Sequence, residues 1–355
     1  MRKLVMLAFI WGWSFLLIKV AVDGLTPTTV AWGRIAFGAA MLHLVLRQRD
    51  LTMPRDPALL RRFAFVAVVG NMAPFSLLAF AEQSISSALT SVLNASTPLF
   101  TAVFAAVALG ERLRKVQVVG LVVAITGVVT ATGLGTSDIH GAAMTASLAA
   151  IAAGACYGVG FTYMRRNLTG IPPLVAATGQ LTAGSVLLAP VALATSITDG
   201  VDLTPTRLAA LVLLGTVGTG TAFVLNYQLV GEVGATRASL VTYLVPVVAI
   251  TVGVVVLGEP FGWRLLLGAA LTIAGIAGVT YGRGRGAKPD SVAEHDQRPV
   301  GPVGRRQWLP RRRRDMADGE RADRHAALPG NGGRPAQNGA TAGAGREGAP
   351  ARDHS

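Results

Sequence analysis

Ten apolar segments, each close to the length of a membrane-spanning helix, fill the first 281 residues of the chain. A bilayer core about 30 Å thick takes about 20 apolar residues in a helix. The segments, numbered spans 1 to 10, are 4–22, 28–46, 63–81, 88–109, 116–134, 144–163, 173–195, 207–229, 236–257 and 264–281. Their connections are short, and the longest is 47–62. The sequence therefore predicts an all-α membrane protein with ten transmembrane helices.

Charge supports this class and sets an orientation. Only 14% of the 355 residues are charged, against about 25% in a typical soluble domain. With both termini placed in the cytoplasm, 16 Lys and Arg residues fall on inside segments and 2, Arg207 and Arg264, fall outside. This positive-inside bias predicts a multi-pass plasma-membrane protein with cytoplasmic termini. We read the basic residues as topology determinants and expect no nucleic-acid partner.

The sequence lacks the residues that several functions require. Cys156 is the only cysteine, and the five histidines show no H-E-x-x-H spacing, so we expect no metal site and no cofactor. There is no G-x-x-x-x-G-K-[ST] motif for ATP hydrolysis. We assign no catalytic residues. A secondary carrier of small polar metabolites is the leading interpretation, and a membrane-embedded enzyme or a channel without a recognisable motif is the alternative.

The chain contains the same pattern twice. The segment SVLNASTPLFTAVFAAVALGERL (91–113) aligns with SLVTYLVPVVAITVGVVVLGEPF (239–261) at an offset of 148, with a proline and a Gly-Glu pair in register. The starts of the halves align at an offset of 146. Each half, 1–134 and 144–281, holds five spans, so the second must enter the membrane inverted. Inverted repeats are typical of alternating-access carriers, whose site lies between the halves.

These motifs resemble a known family. The opening WGWSFLLIK (11–19), the segment TPTTVAWGRIAFGAAML (26–42) and the duplicated proline and Gly-Glu module resemble the EamA-type transporters of the drug/metabolite transporter superfamily. The resemblance covers about 4–281. It implies two five-helix repeats and an exporter or importer, with an exporter favoured, of small metabolites such as amino-acid-like compounds or drugs.

Polar residues inside the spans are the candidates for a substrate site, because such residues are costly in a membrane. Arg34 lies well inside span 2, and Gln180 holds the same position in the second half. We expect Arg34 to face the central cavity and to bind an anionic group of the substrate. Interhelical hydrogen bonds or snorkelling are the alternatives. The full set of candidate substrate-binding residues is Arg34, Lys19, Trp13, Asn71, Asn94, Gln180, Asn226 and Tyr243.

Prolines, glutamates and glycines add further expectations. Pro98 and Pro246 should kink spans 4 and 9, because each removes a backbone donor. Glu111 and Glu259, in the repeated Gly-Glu turns, should cap a helix or pair with arginine. Glycines repeat at seven-residue spacing in spans 5 and 10. These glycines favour close packing or a homodimer through spans 5 and 10.

Glutamates lie at the ends of two spans. Glu82 and Glu232 are the candidates for proton coupling, and facilitated exchange without coupling is the alternative.

Residues 282–355 are rich in Gly, Arg, Pro and Ala, so they cannot bury a core, and we predict a disordered cytoplasmic tail. Its RRQWLPRRRR segment (305–314) matches anionic lipid, and the alternatives are nucleic-acid binding, which is weaker, and a tail without a specific role. The expected partners are therefore a small-molecule substrate and membrane lipid.

Overall fold

The computed structural model describes residues 2–133 and 141–284, and within those ranges it contains helices and no strand. Ten long helices follow one another: α1 Arg2–Val22, α2 Pro27–Gln48, α3 Pro57–Ser84, α4 Ser87–Leu109, α5 Lys115–Thr132, α6 Ala142–Asn167, α7 Pro173–Asp199, α8 Pro205–Val233, α9 Val241–Leu257 and α10 Trp263–Gly284. Within the described residues, nine are long and apolar enough to cross a membrane, and α9, with 17 residues, is shorter. The predicted all-α membrane protein is confirmed.

The outer surface of the bundle is apolar, as a lipid-facing surface must be. Val107, Ile197 and Val255 are each more than 70% exposed. A soluble monomer rarely exposes large contiguous apolar patches. In a bilayer the same side chains are in contact with acyl chains, and only the backbone must be satisfied internally, which the helices achieve.

The predicted loop 47–62 is wrong in its second half, where the structure begins α3. The Asp56 side chain accepts hydrogen bonds from the amides of Ala58 and Leu59, and Pro57 occupies the first helical turn. A capping aspartate followed by proline is a strong start signal for a helix. The basic residues of that segment hid this signal, because they lowered its apolar content. The capping residues Thr26 and Thr204 precede a proline in the same way, at the starts of α2 and α8.

The ends of the helices define two faces of the bundle. We call the face where α1 begins the N-terminal face and the other the opposite face. On the N-terminal face Lys3 pairs with Glu232, and Arg165 pairs with Glu111 at 2.6 Å. On the opposite face Arg207 bridges Asp23 and Asp202, which ties the α1–α2 turn to the α7–α8 turn.

Helices α5 and α10 pack closely against each other through their glycines. A Cβ atom on Gly127 would lie 2.4 Å from the backbone nitrogen of Thr272, and one on Gly275 would lie 2.4 Å from that of Ala124. Only glycine permits this approach. The glycines of spans 5 and 10 thus face each other within one chain, so they do not themselves form a surface for a second copy. The homodimer stays a prediction.

Three helices depart from regular α geometry. Helix α3 contains a π-helical turn at Val68–Met72, and α8 contains one at Thr216–Thr221. Such turns are rare in proteins, and those that occur often lie at functional sites. Helix α4 is interrupted between its segments Ser87–Asn94 and Thr97–Leu109. The predicted kink at Pro98 is therefore a break between two helical segments.

The start of span 9 also differs from the prediction. A single helical turn at Ala235–Ala238 precedes α9, which begins only at Val241 and contains Pro246 in its interior. The tail predicted for 282–355 lies outside the described residues, except for the three residues that complete α10.

Candidate functional site

A cavity of about 470 Å³ lies inside the bundle. Its described lining comes from α1, α2, α3, α4, α6, α7, α8 and α9, and α5 and α10 contribute none of it. Toward the N-terminal face the lining reaches Leu168, Ile171 and Pro173 at the α6–α7 connection. Toward the opposite face it ends near Ile18 and Leu78. A cavity of this size, mostly apolar with a few polar groups, is typical of a small-molecule site.

Of the described residues that line the cavity, Arg34 alone carries a permanent charge. Its side chain is 8% exposed. Its Nε donates to the hydroxyl of Thr219 at 2.9 Å, and its guanidinium carbon lies 3.9 Å from the centre of the Phe75 ring. No described residue accepts a hydrogen bond from its two terminal nitrogens. Four N–H donors of a buried cation are therefore left for another group.

The bond between Arg34 and Thr219 has a counterpart in the same cavity. Asn71 donates from Nδ2 to Oε1 of Gln180 at 3.0 Å, and both side chains are buried. Gln180 lies 146 residues after Arg34, and Thr219 lies 148 residues after Asn71. Asn71 and Thr219 each lie in a π-helical turn. One pairing thus occurs twice, and each time it joins one half of the chain to the other.

Asn94 lies at the break in α4 and lines the cavity. Pro98 cannot donate to the Asn94 carbonyl, and the hydroxyl of Thr97 donates to it instead at 2.7 Å. The side-chain oxygen Oδ1 of Asn94 is buried and has no hydrogen-bond partner among the described residues. Asn226 and Pro246 also line the cavity. Beside the break in α4, Asn94 therefore carries a buried side-chain acceptor that has no partner among the described residues.

Three of the candidate residues lie outside this lining. Lys19 donates to the backbone carbonyls of Glu82 and Ile85, at the end of α3. The Trp13 ring packs on Phe9 with 5.6 Å between ring centres. Tyr243 donates to the carbonyl of Ile276 in α10 at 3.4 Å. The site therefore takes in Arg34, Asn71, Asn94, Gln180 and Asn226, together with both prolines.

Sequence reasoning missed Thr219, Phe75 and Tyr157 as residues of this site. Thr219 could have been found from the offset of 148, because Asn71 was already a candidate. Phe75 and Tyr157, which contact each other edge to face with 6.3 Å between ring centres, carry no such signal. Aromatic residues in apolar helices look alike whether they face a cavity or the lipid. Among the described residues, no group of three His, Cys, Asp or Glu side chains could hold a metal ion.

A multi-pass helical membrane protein with a substrate-sized cavity between its two halves is the class that this fold and site define. The EamA-like transporter family model matches residues 3–133 and 144–281. The chain therefore belongs to the EamA-like transporter family.

Related proteins carry transporter names. A probable terminal-alkyne amino-acid exporter of Streptantibioticus cattleyicolor is 30% identical over 80% of this chain and 95% of its own length. The uncharacterized transporter YoaV of Bacillus subtilis is 23% identical over 78% of this chain and 94% of its own. A probable amino-acid metabolite efflux pump of Salmonella typhimurium is 25% identical over 75% and 90%. One solved crystal structure shares the fold, with a TM-score of 0.58, 21% identity, and coverage of 81% of this chain and 99% of that one.

Proposed function

We propose that this protein is a secondary transporter that exports small amino-acid-like metabolites across the plasma membrane by alternating access. The observation that carries the substrate chemistry is Arg34, a buried cation in a mostly apolar cavity whose terminal N–H donors are unclaimed among the described residues. A guanidinium binds a carboxylate through two parallel hydrogen bonds, and burial strengthens them. The names of the Streptantibioticus and Salmonella relatives support the same substrate class.

The other polar groups of the cavity suit the amino end of such a substrate. The Oδ1 of Asn94 is a buried acceptor that has no partner among the described residues. An ammonium group is a donor only, so it matches that oxygen. Phe75, Phe223 and Tyr227 supply apolar area for the rest of a small molecule. We therefore propose that Arg34 binds the carboxylate and Asn94 the amino group.

Alternating access rests on the proposed inversion of the two halves. Three observations support it. The halves share a proline and Gly-Glu module at one offset. The π-helical turns of α3 and α8 occupy corresponding positions. The pairs Arg34–Thr219 and Asn71–Gln180 use corresponding residues across the interface between halves. Carriers built this way expose a fixed central site to each side in turn.

The charge distribution supports the proposed orientation. The N-terminal face carries most of the Lys and Arg residues of the connections, and the opposite face carries Arg207 and Arg264. By the positive-inside rule the N-terminal face is cytoplasmic. A cavity that reaches this face is ready to take up a cytoplasmic substrate, which is the loading step of an exporter.

Transport of radiolabelled amino acids in proteoliposomes tests the function and the site together. We expect counterflow of a subset of amino acids with the wild-type chain. Arg34→Gln should reduce the rate by about tenfold or more, because a charge-assisted hydrogen bond contributes about 1.5–3 kcal/mol. Arg34→Lys keeps the charge but loses the planar fork, so it should retain partial transport.

Wild-type counterflow by Arg34→Gln at equal protein content would exclude the proposed carboxylate site. His43→Gln is the matched control, because His43 lies on the same helix and bonds to Thr182 outside the cavity lining. Absence of counterflow with every amino acid tested would exclude the substrate class and leave the transporter family in place.

A further inference from the structure

On the opposite face of the bundle, Glu259 in the turn between α9 and α10 binds the first turn of α4. Its carboxylate accepts hydrogen bonds from the amide of Ser87 at 2.7 Å, the hydroxyl of Ser87 at 3.0 Å and the amide of Ala88 at 3.1 Å. Gly253 leaves room for this contact, because a Cβ there would lie 2.5 Å from Oε2 of Glu259. Glu259 thereby joins the second half of the chain to the first turn of α4.

Lys19 holds the same face a short distance away. Its Nζ donates to the carbonyls of Glu82 at 2.5 Å and Ile85 at 3.1 Å, which are the last carbonyls of α3. A cation suits that position, because the final carbonyls of a helix lack partners within it and carry negative partial charge. The cavity lining stops at Ile18, the residue before Lys19. Lys19 and Glu259 therefore lie where the cavity is shut.

The corresponding residues on the N-terminal face are bonded differently. Glu111 lies 148 residues before Glu259, and Arg165 lies 146 residues after Lys19. Arg165 and Glu111 pair with each other at 2.6 Å, and their side chains are 60% and 33% exposed. Each is thus bound to its partner side chain instead of a helix end. This is the face that the cavity lining reaches.

We propose that these four residues form a two-position latch that sets which face of the transporter is closed. On the closed face the glutamate and the lysine or arginine each bind helix ends, and on the open face they bind each other. The inference rests on the proposed alternating access. In the reverse conformation Lys19 and Glu259 release α3 and α4, and they pair at the open face as Arg165 and Glu111 do here.

The strengths of the contacts explain why the latch is stable in either position. The Glu259 contact uses one ionised group and three donors, one of them the buried Ser87 hydroxyl. Charge-assisted hydrogen bonds are roughly twice as strong as neutral ones. An exposed ion pair such as Arg165–Glu111 contributes little. The helix-end contacts of a closed face therefore contribute more free energy than the ion pair of an open face. Opening one face costs this difference, which closing the other face offsets.

Sided labelling of a cavity cysteine tests the latch without any substrate. The background is the full chain with Cys156→Ala and Thr97→Cys, since Thr97 lines the cavity, inward of the closed face, and is partly exposed. An impermeant thiol reagent is added to intact cells or to inside-out vesicles. We expect reaction mainly from the N-terminal face. Glu259→Gln should raise the rate from the opposite face by about tenfold, which corresponds to about 1.4 kcal/mol.

Glu111→Gln is the matched control, because it makes the same change in the equivalent turn. It should leave the rate from the opposite face unchanged or lower it. Ser87→Ala removes one of the three donors and should give a smaller increase than Glu259→Gln, in a chain whose charges are intact. No increase with either Glu259→Gln or Ser87→Ala, or an equal increase with Glu111→Gln, overturns the latch.

The outcome separates the latch from the proposed function. Arg34→Gln should reduce transport by about tenfold or more and leave the labelling pattern as in the parent chain, because Arg34 is not part of the latch. Sided labelling that responds to Glu259→Gln while no amino acid is transported would support the latch and exclude only the proposed substrate class.

Discussion

Arg34 is costly to bury and is also the central residue of the proposed substrate site. Taking a guanidinium out of water costs several kcal/mol unless its donors are satisfied. Thr219 and the Phe75 ring satisfy part of that need, and the remaining donors lie in a cavity. Gln180, at the same position of the other half, is uncharged and accepts a hydrogen bond from Asn71 through Oε1. The two halves thus present one charged and one neutral side to the cavity.

Glu82 gives a prediction about coupling. Its side chain is fully buried, and neither carboxylate oxygen has a hydrogen-bond partner among the described residues. The charged groups that act on it are Lys19 of α1, Arg34 of α2 and Glu259 of the α9–α10 turn, and α6 places Tyr157 against α3. A buried carboxyl group changes its interactions sharply when it gains or loses a proton. We expect Glu82→Gln to flatten the pH dependence of transport.

The matched control for Glu82 is Glu232→Gln. Glu232 is more than half exposed and pairs with Lys3 on the N-terminal face, so its replacement should leave the pH profile unchanged. The measurement is the initial transport rate as a function of pH in proteoliposomes. A Glu82→Gln variant that keeps the wild-type profile would contradict the prediction.

At the scale of helices, the α5–α10 pair packs tightly and lies apart from the described cavity lining. Neither helix contributes to the described cavity lining, and their glycines bring the two backbones into direct contact. In lipid, such close packing replaces the hydrophobic effect as the source of association. The pair therefore stabilises the bundle, and the helices around the cavity carry the irregular geometry.

Gly127→Ala should loosen this pair. The new methyl group would lie 2.4 Å from the Thr272 nitrogen and 2.7 Å from the Gly268 carbonyl oxygen, both on the backbone of α10. Overpacking of this kind costs about 1–3 kcal/mol, so the free energy of unfolding should fall by that amount. Gly231→Ala in α8 is the control, because nothing lies within 4 Å of its Cβ. Thermal unfolding in detergent should be lowered only by Gly127→Ala.

At the scale of the whole molecule, the two Gly-Glu turns should lie on opposite sides of the membrane despite their matching sequence. Single cysteines at Arg114 and Gly262, each in a Cys156→Ala background, place one exposed thiol in each turn. We expect an impermeant thiol reagent to label Gly262→Cys from outside intact cells and Arg114→Cys only in inside-out vesicles. Labelling of both from the same side would exclude the inverted arrangement.

Helix content, span positions and Arg34 as the candidate charged residue of the cavity could be predicted from the sequence alone. Apolar runs of about 20 residues form helices in a membrane, because a helix satisfies all of its backbone hydrogen bonds within one segment. The ends of α1, α4 and α7 agree with the prediction within a few residues. Arg34 could be singled out because an ionised residue deep in a span needs a cavity or a partner.

Only the tertiary structure decided which polar residues share the cavity. Lys19 and Trp13 lie on the same helix as Ser14 and Ile18, yet only the latter two line it. Side chains at nearby positions of one helix point in different directions. An apolar sequence does not mark which of these directions faces a cavity and which faces lipid. The roles of Glu111 and Glu259 were open for a related reason. Their turns are alike in sequence, and the helix end or side chain that each one binds comes from a distant part of the chain.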